Sequence, residues 1–205
     1  MRLLLVALLA GGSLQAPPFT YSVGSVSRAD VRYSWRPGCP VDYKELRRVR
    51  LSHWGFDGKV HTGTLVVNAL AVGDLRRVFA RLYKAHFPVR RMRSIDVYRA
   101  SDTRSMAADN TSAFNCRFAV APGPRRWSAH AYGQAIDVNP VENPYVRGSR
   151  VSPPAGRAYL DRARVRPGMA VRGGVLVRAF AAVGWSWGGR WSGTPDYQHF
   201  SATGR

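Results

Sequence analysis

The fold of this chain turns on Ser128-Ala129-His130-Ala131-Tyr132-Gly133-Gln134-Ala135-Ile136-Asp137 and on a second stretch near the C-terminus, Asp196-Tyr197-Gln198-His199. The alternation from Ala135 to Val138 predicts a short strand with Ile136 and Val138 on one face, which puts the Asp137 side chain on the other. Gly133 and the small Ala135 permit close backbone approach just before it. Pro140 ends the strand and Pro195 interrupts the backbone ahead of Asp196, so each stretch has a defined boundary. Two imidazoles and two carboxylates result. A catalytic zinc requires three protein ligands and one open position, and His130, Asp137 and His199 can fill the three places. Asp196, three positions before a ligand, is left to handle protons. Either histidine alone would read as an ordinary hydrogen-bonded residue; only the two motifs together point to a metal.

These residues resemble a family pattern, that of the zinc D-Ala-D-Ala carboxypeptidases and L-alanyl-D-glutamate endopeptidases that cut bacterial cell-wall peptides. The pattern is S-x-H-x-x-G-x-A-x-D, followed by an acidic residue, two others and His. Ser128, His130, Gly133, Ala135 and Asp137 match its first part, Asp196 and His199 its second, and the resemblance runs from about residue 65 to 201. It implies metal-assisted amide hydrolysis, with Zn2+ held by His130, Asp137 and His199, Asp196 as the base, and an arginine for the charge that develops on the carbonyl oxygen. Val97-Tyr98-Arg99 resembles the family's Tyr-Arg element, and Arg104 and Arg117 lie in the same region. The three stay open, with Arg117 favoured because the neighbouring Cys116 can hold it in place. Trp187-Gly188-Gly189-Arg190-Trp191 is similar to a run that precedes the family's second motif, so Trp191, like Ser128, is expected at the substrate. The family's dipeptidase branch carries Glu as its base. Asp196 is as in the endopeptidase branch and some carboxypeptidases, which leaves the scissile bond open between the two activities.

At 205 residues and 45% hydrophobic content the chain can bury a real core as one domain. Residues 1–16 read as a secretory signal, 17–45 as an extended N-terminal segment and 46–205 as the peptidase domain. Arg2 precedes an apolar run, Leu3 to Ala10, that is too short to span a bilayer, so export to the cell envelope or medium is expected, with a truncated gene start or an uncleaved anchor as the alternative. No other membrane segment is visible. Cys39 and Cys116 fit export as one disulfide, worth about 4 kcal/mol in the chain-entropy model, or else are two separate buried thiols. The formal charge is +19, with 28 arginines against 3 lysines. Such charge is the footprint of nucleic-acid binding, yet it is spread along the chain instead of gathered in one arm. Short clusters at Arg47-Arg48-Val49-Arg50, Arg90-Arg91-Met92-Arg93 and Arg162-Ala163-Arg164-Val165-Arg166 read as solvated faces. The expected partners are peptidoglycan peptides and anionic wall polymers, for a monomer; a nucleic-acid- or wall-binding protein without catalysis is the alternative.

The periodicities predict an α+β domain in which a small, mostly antiparallel sheet carries the zinc site and helices flank it, an architecture that the resemblance also implies. A hairpin spans about Val49 to Val67. Its Asp57-Gly58 turn predicts pairing of His53 with Thr62 and of Trp54 with His61, which sends the two imidazoles to opposite faces. Val72, Leu75, Val78, Phe79 and Leu82 predict a helix over 71–86, with His86 structural at its end. Ile95 to Tyr98 reads as a short strand, and 100–127 as a long loop with a helical turn around the site. Residues 139–154 form a turn-rich loop at the cleft. Val175 to Val183 make a second helix capped near Gly184. Alternate tryptophans from Trp185 to Trp191 then suggest a strand with one aromatic face.

Overall fold

A computed structural model of the chain describes residues 16–120 and 123–204. Residues 1–15, where the secretory signal is expected, lie outside them. The strands are β1 (Tyr21–Ser25), β2 (Leu46–Trp54), β3 (Val60–Asn68), β4 (Arg91–Met92), β5 (Asn110–Thr111), β6 (Ala135–Asp137), β7 (Tyr145–Arg147), β8 (Arg150–Ser152), β9 (Ser186–Trp187) and β10 (His199–Ser201). The helices are α1 (Val72–Lys84), α2 (Asp102–Ala107) and α3 (Val175–Ala181), with several 3-10 turns between elements. The architecture is α+β, as expected, but divided among small sheets: antiparallel β1-β2-β3, antiparallel β6-β10-β9, the parallel pair β4-β5 and the hairpin β7-β8.

The first core lies between the two three-stranded sheets. Val49 and Leu51 of β2 and Leu65 and Val67 of β3 point to one side, as period-2 alternation requires. They meet Leu75, Val78, Phe79 and Leu82 of α1, Leu176 and Phe180 of α3, and Ile136, Trp187 and Phe200 of the β6-β10-β9 sheet. Leu46 and Val66 point to the other face and are covered by Val26, Val31, Val41, Phe114 and Cys116. Residues 17–45 are therefore not merely an extended lead-in: they supply the edge strand β1 and the cover of a second core. The Cys39–Cys116 disulfide, closing a separation of 77 residues, ties that cover to the segment leading into the site.

Three local expectations are corrected. Gly55 N donates to Lys59 O at 2.8 Å, so the β2–β3 hairpin closes through three residues, Phe56-Asp57-Gly58, with Gly58 at φ +69°. One residue more in the loop shifts the register by one. His53 thus faces His61, and their rings stack with centroids 5.8 Å apart. Residues Ile95–Tyr98 form a 3-10 turn, not a strand. Ser94 Oγ accepts from Asp96 N at 3.3 Å, and the Asp96 carboxylate accepts from Tyr33 N at 2.8 Å, which fixes the turn to the N-terminal cover. The aromatic strand shrinks to β9. Trp185 and Trp187 are buried, and Gly188–Arg190 make a 3-10 turn ahead of Trp191.

Candidate metal centre

His130 sits not on the sheet but on a 3-10 turn, Ala129–Tyr132, whose N-cap is Ser128: its Oγ accepts from His130 N at 3.3 Å. Gly133 ends that turn at φ +66°, and a Cβ there would stand 2.5 Å from Asn68 N, so only glycine lets the turn pass this close to the end of β3. Asp137 ends β6, and His199 begins β10, directly opposite it in the ladder. Antiparallel pairing thus sets the carboxylate and one imidazole side by side, and the turn brings the second imidazole over them.

His130 Nε2, His199 Nδ1 and Asp137 Oδ1 form a nearly equilateral triangle: 3.1 Å between the nitrogens, 3.2 Å from each nitrogen to the oxygen. His130 Nδ1 donates to Ala113 O at 2.6 Å, which leaves Nε2 with its lone pair turned to the centre. Three buried electron pairs converging on one point repel each other unless a cation lies among them. A tetrahedral zinc with bonds of about 2.0–2.1 Å spaces its ligand atoms by about 3.3 Å. The donor set, two imidazoles and a carboxylate, is the one a catalytic zinc takes, so these residues fit the ion that the motifs imply.

Burial opposes a charge on His130, but the Asp137 carboxylate outweighs it and raises the imidazole's proton affinity; burial lowers that of His199. Burial alone would raise Asp137, yet the two imidazoles hold its carboxyl well below the usual range.

Asp196 lies on the wall of the same cavity as His130 and His199. Its backbone is fixed on both sides, by donation from Asp196 N to Gly188 O at 3.0 Å and by pairing with Tyr145. A Cβ at Gly188 would press on Asp196 O at 2.8 Å, so this approach too requires glycine. Asp196 Oδ1 is buried with no hydrogen-bond partner among the described residues. Burial pushes the carboxyl up to about 8, and the Asp137 charge adds to it. A dication on the three ligands would oppose both and keep Asp196 ionised, the form a base needs.

The cavity measures about 720 Å³ and is open to solvent. Ser128 and Trp191 line it, with the Trp191 ring 5.2 Å from that of His199. Of the three candidate arginines Arg117 lines it, whereas Arg99 and Arg104 do not: Arg99 closes the 3-10 turn at φ +52°, and Arg104 is an exposed residue of α2. Sequence reasoning passed over Arg126, Tyr132, Gln134 and Tyr145, which also line it. Tyr132 and Gln134 occupy the variable places of the first motif, where the pattern carries no signal. Tyr145 follows Asn143-Pro144 in the loop assigned to the cleft.

A metal triangle and a buried carboxyl group with one oxygen left without a hydrogen bond, at the wall of an open cleft, is an arrangement that metal-dependent hydrolases use. A family model described as D-alanyl-D-alanine carboxypeptidase matches residues 122–202, a stretch that holds all three ligand positions and Asp196. The resemblance carried by the two motifs is borne out over that stretch, and it supports a peptidase acting on cell-wall peptides. No curated protein and no solved structure shows a significant match to the chain. Among the described residues no helix is long and apolar enough to cross a membrane.

Proposed function

We propose that the protein is a zinc peptidase that trims the terminal D-Ala from peptidoglycan stem peptides outside the cytoplasm. The observation that carries this reading is the His130–Asp137–His199 triangle with Asp196 in the same cavity. Bound there, zinc would supply Lewis-acid polarisation of the carbonyl and lower the pKa of water toward roughly 7. Asp196 receives the proton of the attacking water and returns it to the leaving amine. Arg117 faces the oxygen that gains charge as the carbonyl is attacked. Arg126 has no ion pair among the described residues, which leaves its guanidinium free for a substrate carboxylate. The disulfide supports an oxidising compartment.

Cleavage between L-Ala and D-Glu is the second reading, with which the Asp at position 196 is equally compatible. Digestion of purified muropeptides by the zinc-supplemented protein, with and without chelator, separates the two by mass spectrometry. Loss of one alanine mass is expected. Release of the stem from the glycan side would establish the endopeptidase instead, and no chelator-sensitive product would overturn both.

A further inference from the structure

Arg117 shares the cavity with the Asp196 carboxylate and with His130 and His199, and its charge acts on all three. An unrestrained guanidinium there would close onto Asp196, whose Oδ1 lacks a partner, and would occupy the base. It is restrained from the far side. Arg117 Nε is in ion-pair contact with Asp102 Oδ2, a charge contact that lacks hydrogen-bond geometry, and Arg117 Nη1 donates to Phe118 O at 3.3 Å. Asp102 is itself pinned, because Asn115 Nδ2 donates to Asp102 Oδ1 at 2.9 Å and to Ala100 O at 3.2 Å. Asn115 is buried, and its N donates to His130 O at 3.2 Å, so the anchor of the clamp and a metal ligand share one strut.

The backbone that delivers Asp102 is unusual. Arg99 and Ala100 are consecutive non-glycine residues at φ +52° and +55°, a conformation that L residues avoid and that persists only where surrounding contacts enforce it. Immediately after them Ser101 caps α2, and Asp102 stands in its first turn. The chain has 12 acidic side chains for 31 basic ones. Among the described residues only four arginines make ion pairs, and Arg117 alone of those lines the cavity.

We propose that Asp102 is a positioning residue of the peptidase: with Asn115 it clamps Arg117 to the cavity wall, aimed at the scissile carbonyl and held away from Asp196. The proposal rests on the function given above. It is tested by a double-mutant cycle on the zinc-supplemented full chain. Asp102→Asn is expected to lower kcat about 10- to 100-fold with little change in KM, short of the about 100- to 1000-fold cost of deleting a transition-state donor, as in Arg117→Ala. Asp102→Glu should recover most of the loss, and in the Arg117→Ala background Asp102→Asn should cost almost nothing. Equal losses in both backgrounds, or no recovery with Glu, would overturn the clamp. The 15N–1H resonance of Arg117 Nε gives a reading independent of activity: Asp102→Asn should shift and broaden it while zinc content and Tm stay unchanged, and an unmoved resonance counts against the pairing. Wild-type protein inert toward every muropeptide would overturn the peptidase reading, and the clamp would then be judged by the resonance alone.

Discussion

Replacing Gly133 by Ala should loosen both the fold and the metal, and two separable costs set the size of the effect. The first is conformational: at φ +66° an L residue costs about 1–2 kcal/mol. The second is steric. The new Cβ would stand 2.5 Å from Asn68 N and 3.2 Å from Leu46 Cδ2. Asn68 cannot retreat easily, because its N donates to Gly133 O at 2.9 Å while its side chain accepts from Leu70 N. Overpacking of that kind costs about 1–3 kcal/mol, for a total of about 2–5 kcal/mol and a fall in Tm of about 4–20 °C at this chain length. Gly148 is the internal control. It has φ +55° with nothing within 4 Å of its Cβ position, so Gly148→Ala carries only the conformational cost. Because Gly133 N donates to His130 O at 3.0 Å, the strained turn should also displace His130 and weaken zinc binding, about 10- to 100-fold by analogy with the loss of an outer-shell contact. Calorimetric unfolding of both variants and zinc competition against a chromophoric chelator measure the two effects. Equal Tm losses for Gly133→Ala and Gly148→Ala would refute the steric argument, and unchanged zinc affinity would refute the link to His130.

Asp196→Asn should retain zinc yet lose nearly all turnover; full activity with normal metal content would show that another group takes the proton. Replacing both cysteines by serine removes a cross-link spanning 77 residues, worth about 4.5 kcal/mol in the chain-entropy model, and a variant whose denaturant midpoint hardly moves would contradict that figure. Glu142, fully buried beside Asp109, has its carboxyl pushed up to about 8, chiefly by burial and then by Asp109. The folded state therefore binds a proton that the unfolded chain releases near its ordinary value, so this group's contribution is complete below about pH 4.5 and is lost as pH rises through about 8. Tm measured from pH 5 to 9 should decline more steeply in wild type than in Glu142→Gln, and parallel curves would remove Glu142 as the cause.

Much of the site was legible from residue order. The two motifs name every member of the metal triangle, because ligand type and local spacing are chemical facts that survive without coordinates. Helices α1 and α3 were legible for a similar reason: an apolar stripe at three and four implies a buried face whatever it packs against. The β2–β3 register was not, because Asp57-Gly58 suits either a two-residue turn or a three-residue loop, and only the closure from Gly55 to Lys59 decides between them.

What the sequence by itself determined is the chemistry on offer: two imidazoles, a carboxylate, a separate acid and an excess of arginine. What only the tertiary structure decided is which arginine meets them. Arg99, Arg104 and Arg117 lie within eighteen residues of one another and carry the same charge, yet only Arg117 reaches the cavity wall. Its neighbour Cys116 is bonded to Cys39, its side chain contacts Asp102, and its carbonyl accepts from Ser128 N at 3.0 Å. Asp102 and Ser128 lie within fifteen residues of Arg117, but Cys39, which anchors its neighbour, lies 77 residues before Cys116. Their convergence depends on how the whole core closes, which no local pattern encodes.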